Sequence, residues 1–105
     1  MERTKKVEFR KKALDSIADI SNYIATKGFP DTAKKFGNKL YEFGLLLNDT
    51  YTAYALCRQS HLIKRKFQCA LVERKYIFIY KVFPNEVIIY NVVHGSRSSE
   101  AFSYL

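Results

Sequence analysis

The sequence predicts an α+β fold of two layers, in which a helical hairpin packs on one face of a mainly antiparallel sheet. Apolar residues follow helical spacing through the first half of the chain and strand-like runs through the second half. The length of 105 residues suits a single domain, 1–105, and the 48% hydrophobic content excludes a disordered chain. We therefore expect the element order β-α-α-β-β-β.

The first two elements are a short strand and a helix. At residues 4–9 apolar and charged side chains alternate, as in a strand with one buried face. From Lys12 to about Lys27 the apolar period is helical, and Gly28 supplies the residue type that favours a helix C-terminus.

The second helix starts at Pro30, because proline is tolerated in the first turn, and ends within residues 48–50. Gly37 and Gly44 lie one heptad apart on it and predict the close approach of a neighbouring backbone, that of the first helix. Its apolar stripe comprises Ala33, Phe36, Leu40, Phe43 and Leu47. From both helices we expect these core residues: Leu14, Ile17, Ile24, Phe36, Leu40 and Phe43.

Three strands are predicted at residues 61–71, 75–83 and 86–93. Lys64 and Lys66 share the polar face of the first, and Pro84-Asn85 forms the turn between the other two. Those last two strands are apolar on both sides. In the strand at 75–83, one side carries Tyr76, Phe78, Tyr80 and Val82, and the other side carries Ile77, Ile79 and Phe83. In the strand at 86–93, one side carries Val87, Ile89 and Val93, and the other side carries Ile88, Tyr90 and Val92.

Two helices cover only one face of a sheet, so the second apolar face needs another cover. The candidates are the C-terminal tail around Phe102 and Tyr104, a second copy of the chain in a homodimer, or another protein.

The net charge of +8 is concentrated in two segments. Residues 1–12 carry net +4 and residues 51–75 carry net +5, while the rest of the chain is close to neutral. Local clusters of one sign predict a polyanion or an acidic protein as partner, against the alternative of a basic surface that only maintains solubility.

The sequence has no glycine-rich phosphate loop, no pair of catalytic carboxylates and no nucleophile elbow, and it implies no cofactor. The cysteines and histidines match no zinc-ligand spacing, so no metal is expected; Cys57 is interpreted as a loop thiol and Cys69 as a core residue. No apolar run approaches the ~20 residues that span a bilayer, and residues 1–6 lead into no apolar stretch of the signal-peptide type, so we expect no signal peptide. We therefore expect a cytoplasmic protein with no membrane contact.

A basic and aromatic set remains. If the strands form one sheet, this set could line a single positive groove able to bind RNA and support 2′-OH attack without a metal. The alternative is a solvated lysine face. The set comprises Arg58, His61, Lys64, Arg65, Lys66, Arg74, Lys75, His94, Arg97 and Tyr104.

The order of these motifs resembles the RelE/ParE superfamily of type II toxin–antitoxin toxins. The likeness rests on the helical pattern from Ala13 to Ile24, the pattern Ala33-x-x-Phe36-x-x-x-Leu40, and the strand from Tyr76 to Val82. The strongest part of the likeness is the last strand and the residues that follow it, Val87-Ile88-Ile89-Tyr90-Asn91-Val92-Val93-His94-Gly95-Ser96-Arg97. The resemblance implies a plasmid-stabilisation type toxin neutralised by a cognate antitoxin, which the basic charge predicts to be acidic.

The superfamily divides by target. RelE-like members cleave mRNA on the ribosome, whereas characterised ParE-like members inhibit DNA gyrase. The ribonuclease branch has arginine three residues before the tyrosine of the third strand, where this chain has Ile77. The His-Gly-Ser-Arg exit and the long helical hairpin also favour the ParE-like branch.

Two alternatives stay open. In a RelE-like ribonuclease the catalytic candidates are Lys64, Lys66, His94, Arg97 and Tyr104, although Phe102 aligns better than Tyr104 with the C-terminal Tyr or His of that branch. The other alternative is a non-toxic protein-binding module. In each case the partner-binding candidates are Arg58, Lys64, Lys66, Arg74, Tyr90 and Arg97.

Overall fold

The structure is a computed structural model that describes residues 4–54, 57 and 64–95. Its elements follow the predicted order, with one added 3₁₀ turn at Tyr51–Ala53 after the second helix. The elements are β1 (Lys6–Phe9), α1 (Lys11–Thr26), α2 (Pro30–Thr50), β2 (Gln68–Val72), β3 (Tyr76–Val82) and β4 (Glu86–His94). The predicted α+β fold is confirmed.

The four strands form one mixed sheet in the order β1-β4-β3-β2. β3 pairs with β2 and β4 in antiparallel fashion, so the sheet is mainly antiparallel as predicted. β1 runs parallel to β4, with Val7 opposite Val87, a pairing that requires the long connection through the helical hairpin and two further strands. The earliest and the last of these strands are therefore neighbours.

The helix ends lie within about one residue of their predicted positions. α1 has no side-chain cap at its N-terminus and no acidic residue in its first turn, although Lys11 pairs with Asp15 at 2.9 Å. Gly28 follows α1 with φ +92°, a conformation that suits glycine, and its N–H donates to the carbonyl oxygen of Ala25. Pro30 is the first residue of α2, as predicted.

The core between the helices and the sheet contains most of the predicted residues, but Ile24 is half-buried outside it and Leu14 is a wrong prediction. Its side chain is 42% exposed, whereas Ala13 is fully buried and Ile17 nearly so. Because successive helix residues are 100° apart, the buried stripe passes through Ala13 and leaves Leu14 at its edge. Leu40 is fully buried, and Phe36 and Phe43 pack against the same core while half-buried.

The two glycines of α2 do face close neighbours, but these are side chains and only one of them belongs to α1. A Cβ on Gly37 would lie 3.2 Å from Oγ of Ser21, on α1. A Cβ on Gly44 would lie 2.8 Å from Cε2 of Phe9, on β1, and 3.0 Å from Cδ1 of Ile89. Gly44 therefore sets the distance of α2 from the sheet rather than from α1.

β2 begins seven residues later than predicted, at Gln68. Lys66 has φ +64°, in the left-handed region, and Arg65 and Lys66 form a turn, so the extended conformation cannot reach back through them. Residues 61–63 of the predicted strand lie outside the described residues. Lys64 and Lys66 therefore do not share a strand face.

A β-bulge in β4 changes which side chains share a face. The pairing of β3 with β4 shifts between Ile79 and Tyr80, which leaves Tyr90 as an extra residue. Beyond the bulge the strict alternation is broken: Val92 packs in the helix-side core, and Val93 packs on the opposite face. The predicted faces of Val92 and Val93 are thus exchanged.

The bulge also joins β4 to α1. The Oγ of Ser16 donates to Oδ1 of Asn91 at 2.6 Å, and the N–H of Val92 donates to the same oxygen at 2.8 Å. Asn91 is 4% exposed, and its side-chain oxygen is therefore satisfied by two donors inside the core.

Part of the second face of the sheet is covered by Cys57 and Phe67, which precede β2, while Leu71 on the same face is 57% exposed. Cys57 and Phe67 are buried there with Ile79 and Val93, and this cover was not among the predicted candidates. The interpretation of the cysteines was wrong, since Cys57 and Cys69 form a disulfide. The predicted cover by Phe102 and Tyr104 lies outside the described residues.

Candidate functional site

Three cations surround two aromatic rings on the sheet face that is remote from the helices. Phe67 meets Tyr90 edge to face with 4.9 Å between ring centroids. Arg10 lies 5.0 Å from the Tyr90 ring, and Arg65 and Lys81 lie 4.9 and 5.3 Å from the Phe67 ring. We refer to these five residues as the cation–aromatic cluster.

Different elements bring the members of this cluster together. Arg10 is held between β1 and α1, where its N–H donates to the carbonyl oxygen of Ile89. Lys81 reaches the face because it pairs with Ile88 across β3 and β4 and shares that residue's side of the sheet. Cations over rings are attracted by the negative ring faces, so the cluster holds positive charge beside apolar surface. Such a surface suits carboxylates or phosphates on a partner.

The predicted basic residues do not form one groove. Lys64 and Lys66 precede β2, while Arg74 follows it in the turn to β3 with φ +60°. Since β2 spans five residues at about 3.3 Å each, the two groups lie at opposite ends of the strand. Lys64, Lys66 and Arg74 are all exposed. Four of the predicted residues, Arg58, His61, Arg97 and Tyr104, lie outside the described residues.

A second concave surface lies at the Arg74 end of the sheet. It is an open groove of about 760 Å³ between the two helices and the ends of β3 and β4. Tyr76 and His94 meet there edge to face at 5.2 Å, and burial raises the pKa of the Tyr76 hydroxyl. Its lining comprises Asp19, Ile20, Tyr23, Ile24, Thr32, Phe36, Glu73, Lys75, Tyr76 and His94.

This groove carries charges of both signs. Glu73 pairs with Lys39 at 2.7 Å, and Asp19 and Lys75 lie on the lining. Among residues 4–54, 57 and 64–95, no group of three or more His, Cys, Asp or Glu side chains is placed to hold a metal ion. The groove is therefore an apolar recess with a mixed rim rather than the positive RNA groove predicted from the sequence.

The comparison with protein families decides the identity. A family model described as the ParE toxin of the type II toxin–antitoxin system parDE matches residues 7–99. The chain belongs to the ParE toxin family. It is a type II toxin, a class whose members act with an antitoxin partner.

The fold comparison agrees. A solved structure titled as the chromosomal ParDE TA system from P. aeruginosa superposes on this ParE toxin with a TM-score of 0.72, over 89% of this chain and 98% of that chain. The identity is 14%, so this likeness supports the fold alone. No curated protein sequence is significantly similar to this chain.

Ile77 of this ParE toxin lies on the sheet face that carries the cation–aromatic cluster. It is half-buried against the apolar group that includes Phe67, Ile79 and Val93. The position where the ribonuclease branch has arginine is thus part of an apolar contact. The cations of this face are supplied instead by Arg10, Arg65 and Lys81.

The helical hairpin carries an exposed apolar surface that the sequence analysis missed. Ser21 and Gly37 are in contact. Because both helices rise 1.5 Å per residue and run in opposite directions, Leu14 lies level with Gly44 along the hairpin. Tyr41 precedes Leu45 by one helical turn and stacks on the Phe9 ring at 4.8 Å.

The exposed fractions of Leu14, Tyr41 and Leu45 are 42, 43 and 40%. We call these three residues the hairpin patch. The sequence did contain a signal for it, because Tyr41 and Leu45 are apolar residues outside the predicted stripe of α2. Tyr41 and Leu45 are one helical turn apart on α2, and neighbouring exposed apolar side chains are typical of protein interfaces.

In the part of the chain that the structure describes, no helix has both the length and the apolar character required to cross a bilayer.

Proposed function

We propose that this ParE toxin acts on DNA gyrase and is neutralised by an acidic antitoxin. The choice of target rests on Ile77. At this position the ribonuclease branch has arginine, whereas this chain has an apolar side chain. A ribonuclease of that branch needs positive charge at the scissile phosphate, and an isoleucine packed against Ile79 and Phe67 supplies none. The family match to residues 7–99 supports the same branch.

The hairpin patch is the proposed apolar docking surface for the antitoxin. The second sheet face was the other candidate, but Ile79, Ile88 and Val93 on it are already buried, which leaves Leu71 at its β2 edge as the exposed apolar residue there. Buried apolar area at the hairpin patch would supply most of the affinity. The exposed cations Lys64, Lys66 and Arg74, together with Arg97, would attract the antitoxin's carboxylates during encounter.

The target is tested with the purified toxin in two assays run in parallel. In the first, gyrase supercoils relaxed plasmid with increasing toxin; in the second, translating ribosomes are given the toxin and the mRNA ends are mapped. We expect loss of supercoiling and intact mRNA. The product of the neighbouring reading frame, which we expect to be the acidic antitoxin, serves as the control, since its addition should restore supercoiling.

Two other outcomes would support one of the alternative functions instead. Codon-associated mRNA cuts that disappear in Lys64→Ala or His94→Ala variants would replace the gyrase proposal by a RelE-like ribonuclease. Normal growth on induced expression, with no effect in either assay and with folded protein, would indicate a non-toxic binding module.

A further inference from the structure

The disulfide joins β2 to the stretch that follows the 3₁₀ turn, which the Gln68 side-chain amide also contacts by donating to the carbonyl oxygens of Tyr51 and Tyr54. Cys57 lies between the 3₁₀ turn and β2, and Cys69 lies within β2. Their Cα atoms are 5.0 Å apart, and the N–H of Cys57 donates to the carbonyl oxygen of Phe67 at 2.9 Å. The disulfide therefore closes the loop that places Phe67.

Phe67 is the centre of the cover on the second sheet face. Its ring is fully buried against Ile79 and Val93, and the cations of Arg65 and Lys81 lie over it. Yet Phe67 lies in no strand, and the preceding Lys66 has a positive φ. A residue outside helix and strand gains conformational freedom when the cross-link beside it is removed, so the position of Phe67 depends on the cross-link.

We propose that Cys57 and Cys69 form a reversible dithiol–disulfide site that determines whether the second sheet face is covered. In the disulfide state Phe67 is held over the face. In the dithiol state the segment from Lys64 to Phe67 loosens, the apolar side chains beneath become accessible, and the cation–aromatic cluster loses its central ring.

Oxidation of the two thiols to the disulfide requires a two-electron acceptor. A low-molecular-weight disulfide such as oxidised glutathione is one. A thiolate of the pair attacks one sulfur of oxidised glutathione, which forms a mixed disulfide and releases one glutathione. The second thiolate displaces the other glutathione, and the Cys57–Cys69 bond forms. Two electrons pass from the protein to the glutathione disulfide, and the two thiol protons end on the two released glutathiones.

Reduction runs in the opposite direction and starts at Cys69. Cys69 is half-buried, whereas Cys57 is 1% exposed, so an attacking thiolate reaches the Cys69 sulfur more readily. This proposal does not depend on the target of the toxin.

The test uses the full chain equilibrated in glutathione buffers of increasing reduced fraction. Alkylation followed by mass measurement gives the fraction of dithiol, and amide hydrogen exchange is followed in peptides that cover residues 64–67 and residues 17–24. We expect exchange in 64–67 to accelerate at least about tenfold, at the same buffer ratio at which the dithiol appears. Exchange in 17–24, within α1, should stay constant.

A Cys57→Ser/Cys69→Ser variant is the matched control, since it should exchange rapidly at 64–67 in every buffer. Should that variant fail to fold, the alkylation rate of Cys57 in the reduced wild type decides: rapid modification supports the proposal. Unchanged exchange in the dithiol state with slow alkylation of Cys57 would overturn it, as would a chain that stays a dithiol in fully oxidised glutathione.

Discussion

Gly44 lies where α2 crosses the first and last strands, and Gly37 lies two turns earlier against α1. Both residues lower the helix propensity of α2 by about 1 kcal/mol each relative to alanine. Their surroundings differ, because the Phe9 ring and Ile89 lie beneath Gly44, whereas Gly37 faces the single hydroxyl of Ser21. A matched pair of substitutions therefore separates helix propensity from packing.

We predict that Gly44→Ala destabilises the protein by about 1–3 kcal/mol, because the added methyl group must displace the Phe9 ring from its stack on Tyr41. Gly37→Ala should leave the free energy of unfolding within about 1 kcal/mol of wild type. Urea unfolding measured by circular dichroism checks both variants. Equal midpoints for the two would contradict the packing argument.

Leu40 and Leu14 form a second matched pair. Leu40 is fully buried, so Leu40→Ala should lower the free energy of unfolding by about 2–5 kcal/mol. Leu14 is 42% exposed, and Leu14→Ala should cost less than about 1 kcal/mol. The same urea titration applies, and comparable losses in both variants would mean that Leu14 is in the core after all.

The ionisation of the Tyr80 hydroxyl makes the stability of the fold depend on pH in the alkaline range. Its hydroxyl donates to the carbonyl oxygen of Tyr51 at 2.8 Å and accepts from the side-chain amide of Gln68 at 3.3 Å. Burial, followed by the neighbouring Tyr54, raises the pKa of Tyr80 above its ordinary value of 10.0. The folded state therefore keeps a proton that the unfolded chain releases above pH 10.

The stabilisation from this tyrosine is complete below pH 10 and is lost as the pH rises beyond it. We predict that the wild type loses stability more steeply than Tyr80→Phe between about pH 9 and pH 11, because phenylalanine has no proton to release. Urea midpoints at these pH values test the difference. Tyr76, whose pKa is also raised, is present in both proteins and affects both profiles equally. Parallel pH profiles would therefore show that Tyr80 does not cause the loss of stability.

At the scale of elements, the helices were predictable and the strand details were not. Helix periodicity and the Gly28 and Pro30 signals placed α1 and α2 correctly, because these signals are local in sequence. The start of β2 depends on a positive φ at Lys66, and the faces of β4 depend on a bulge at Tyr90. Neither lysine nor tyrosine favours these conformations intrinsically, so tertiary packing determines them.

The same reasoning applies to the candidate site. Arg10 and Lys81 reach one face because β1 pairs with β4 and β4 with β3, which no local pattern reveals. The sequence analysis identified Arg65 and Tyr90 individually but grouped Lys64 with Arg74, which the structure separates. The disulfide was missed for a similar reason, since Cys57 and Cys69 become neighbours only after β2 has formed.

The contact between Ser16 and Asn91 attaches α1 to the bulge of β4. We predict that Ser16→Ala and Asn91→Ala each destabilise the protein by about 1–3 kcal/mol, because each leaves a buried polar group with fewer partners. The double variant should lose less than the sum, with a coupling energy of about 0.5–1.5 kcal/mol. A double-mutant cycle in urea gives this value, and strict additivity would show that the two side chains do not interact.

At the scale of the whole molecule, the uneven charge predicts how the toxin meets its antitoxin. Lys64→Glu/Lys66→Glu should slow association with the proposed acidic antitoxin by about tenfold at low salt and weaken the salt dependence of the rate. Lys34→Glu/Lys35→Glu makes the same change in net charge on α2 and should slow association less. Stopped-flow mixing at several salt concentrations measures both variants.

The hairpin patch should govern dissociation instead. Leu45→Ser removes exposed apolar area without changing charge, so it should speed dissociation by about tenfold while the association rate stays near wild type. Tyr90 was the predicted position for this test, but it is half-buried against Phe67 and Arg10. If Leu45→Ser and wild type dissociate equally slowly, the antitoxin docks elsewhere.

The parallel pairing of β1 with β4 has a consequence during translation. Lys6 lies opposite Glu86, so the ribosome adds 80 residues between the two halves of this pairing. At a synthesis rate of about 5–20 residues per second, roughly 4–16 s pass before β4, the strand that pairs with β1, has been made. The helical hairpin, built from local contacts, can form within that interval, but the sheet beneath it cannot close. A nascent chain therefore presents the hairpin before it has a completed sheet, and a ribosome that stalls before β4 releases no folded toxin.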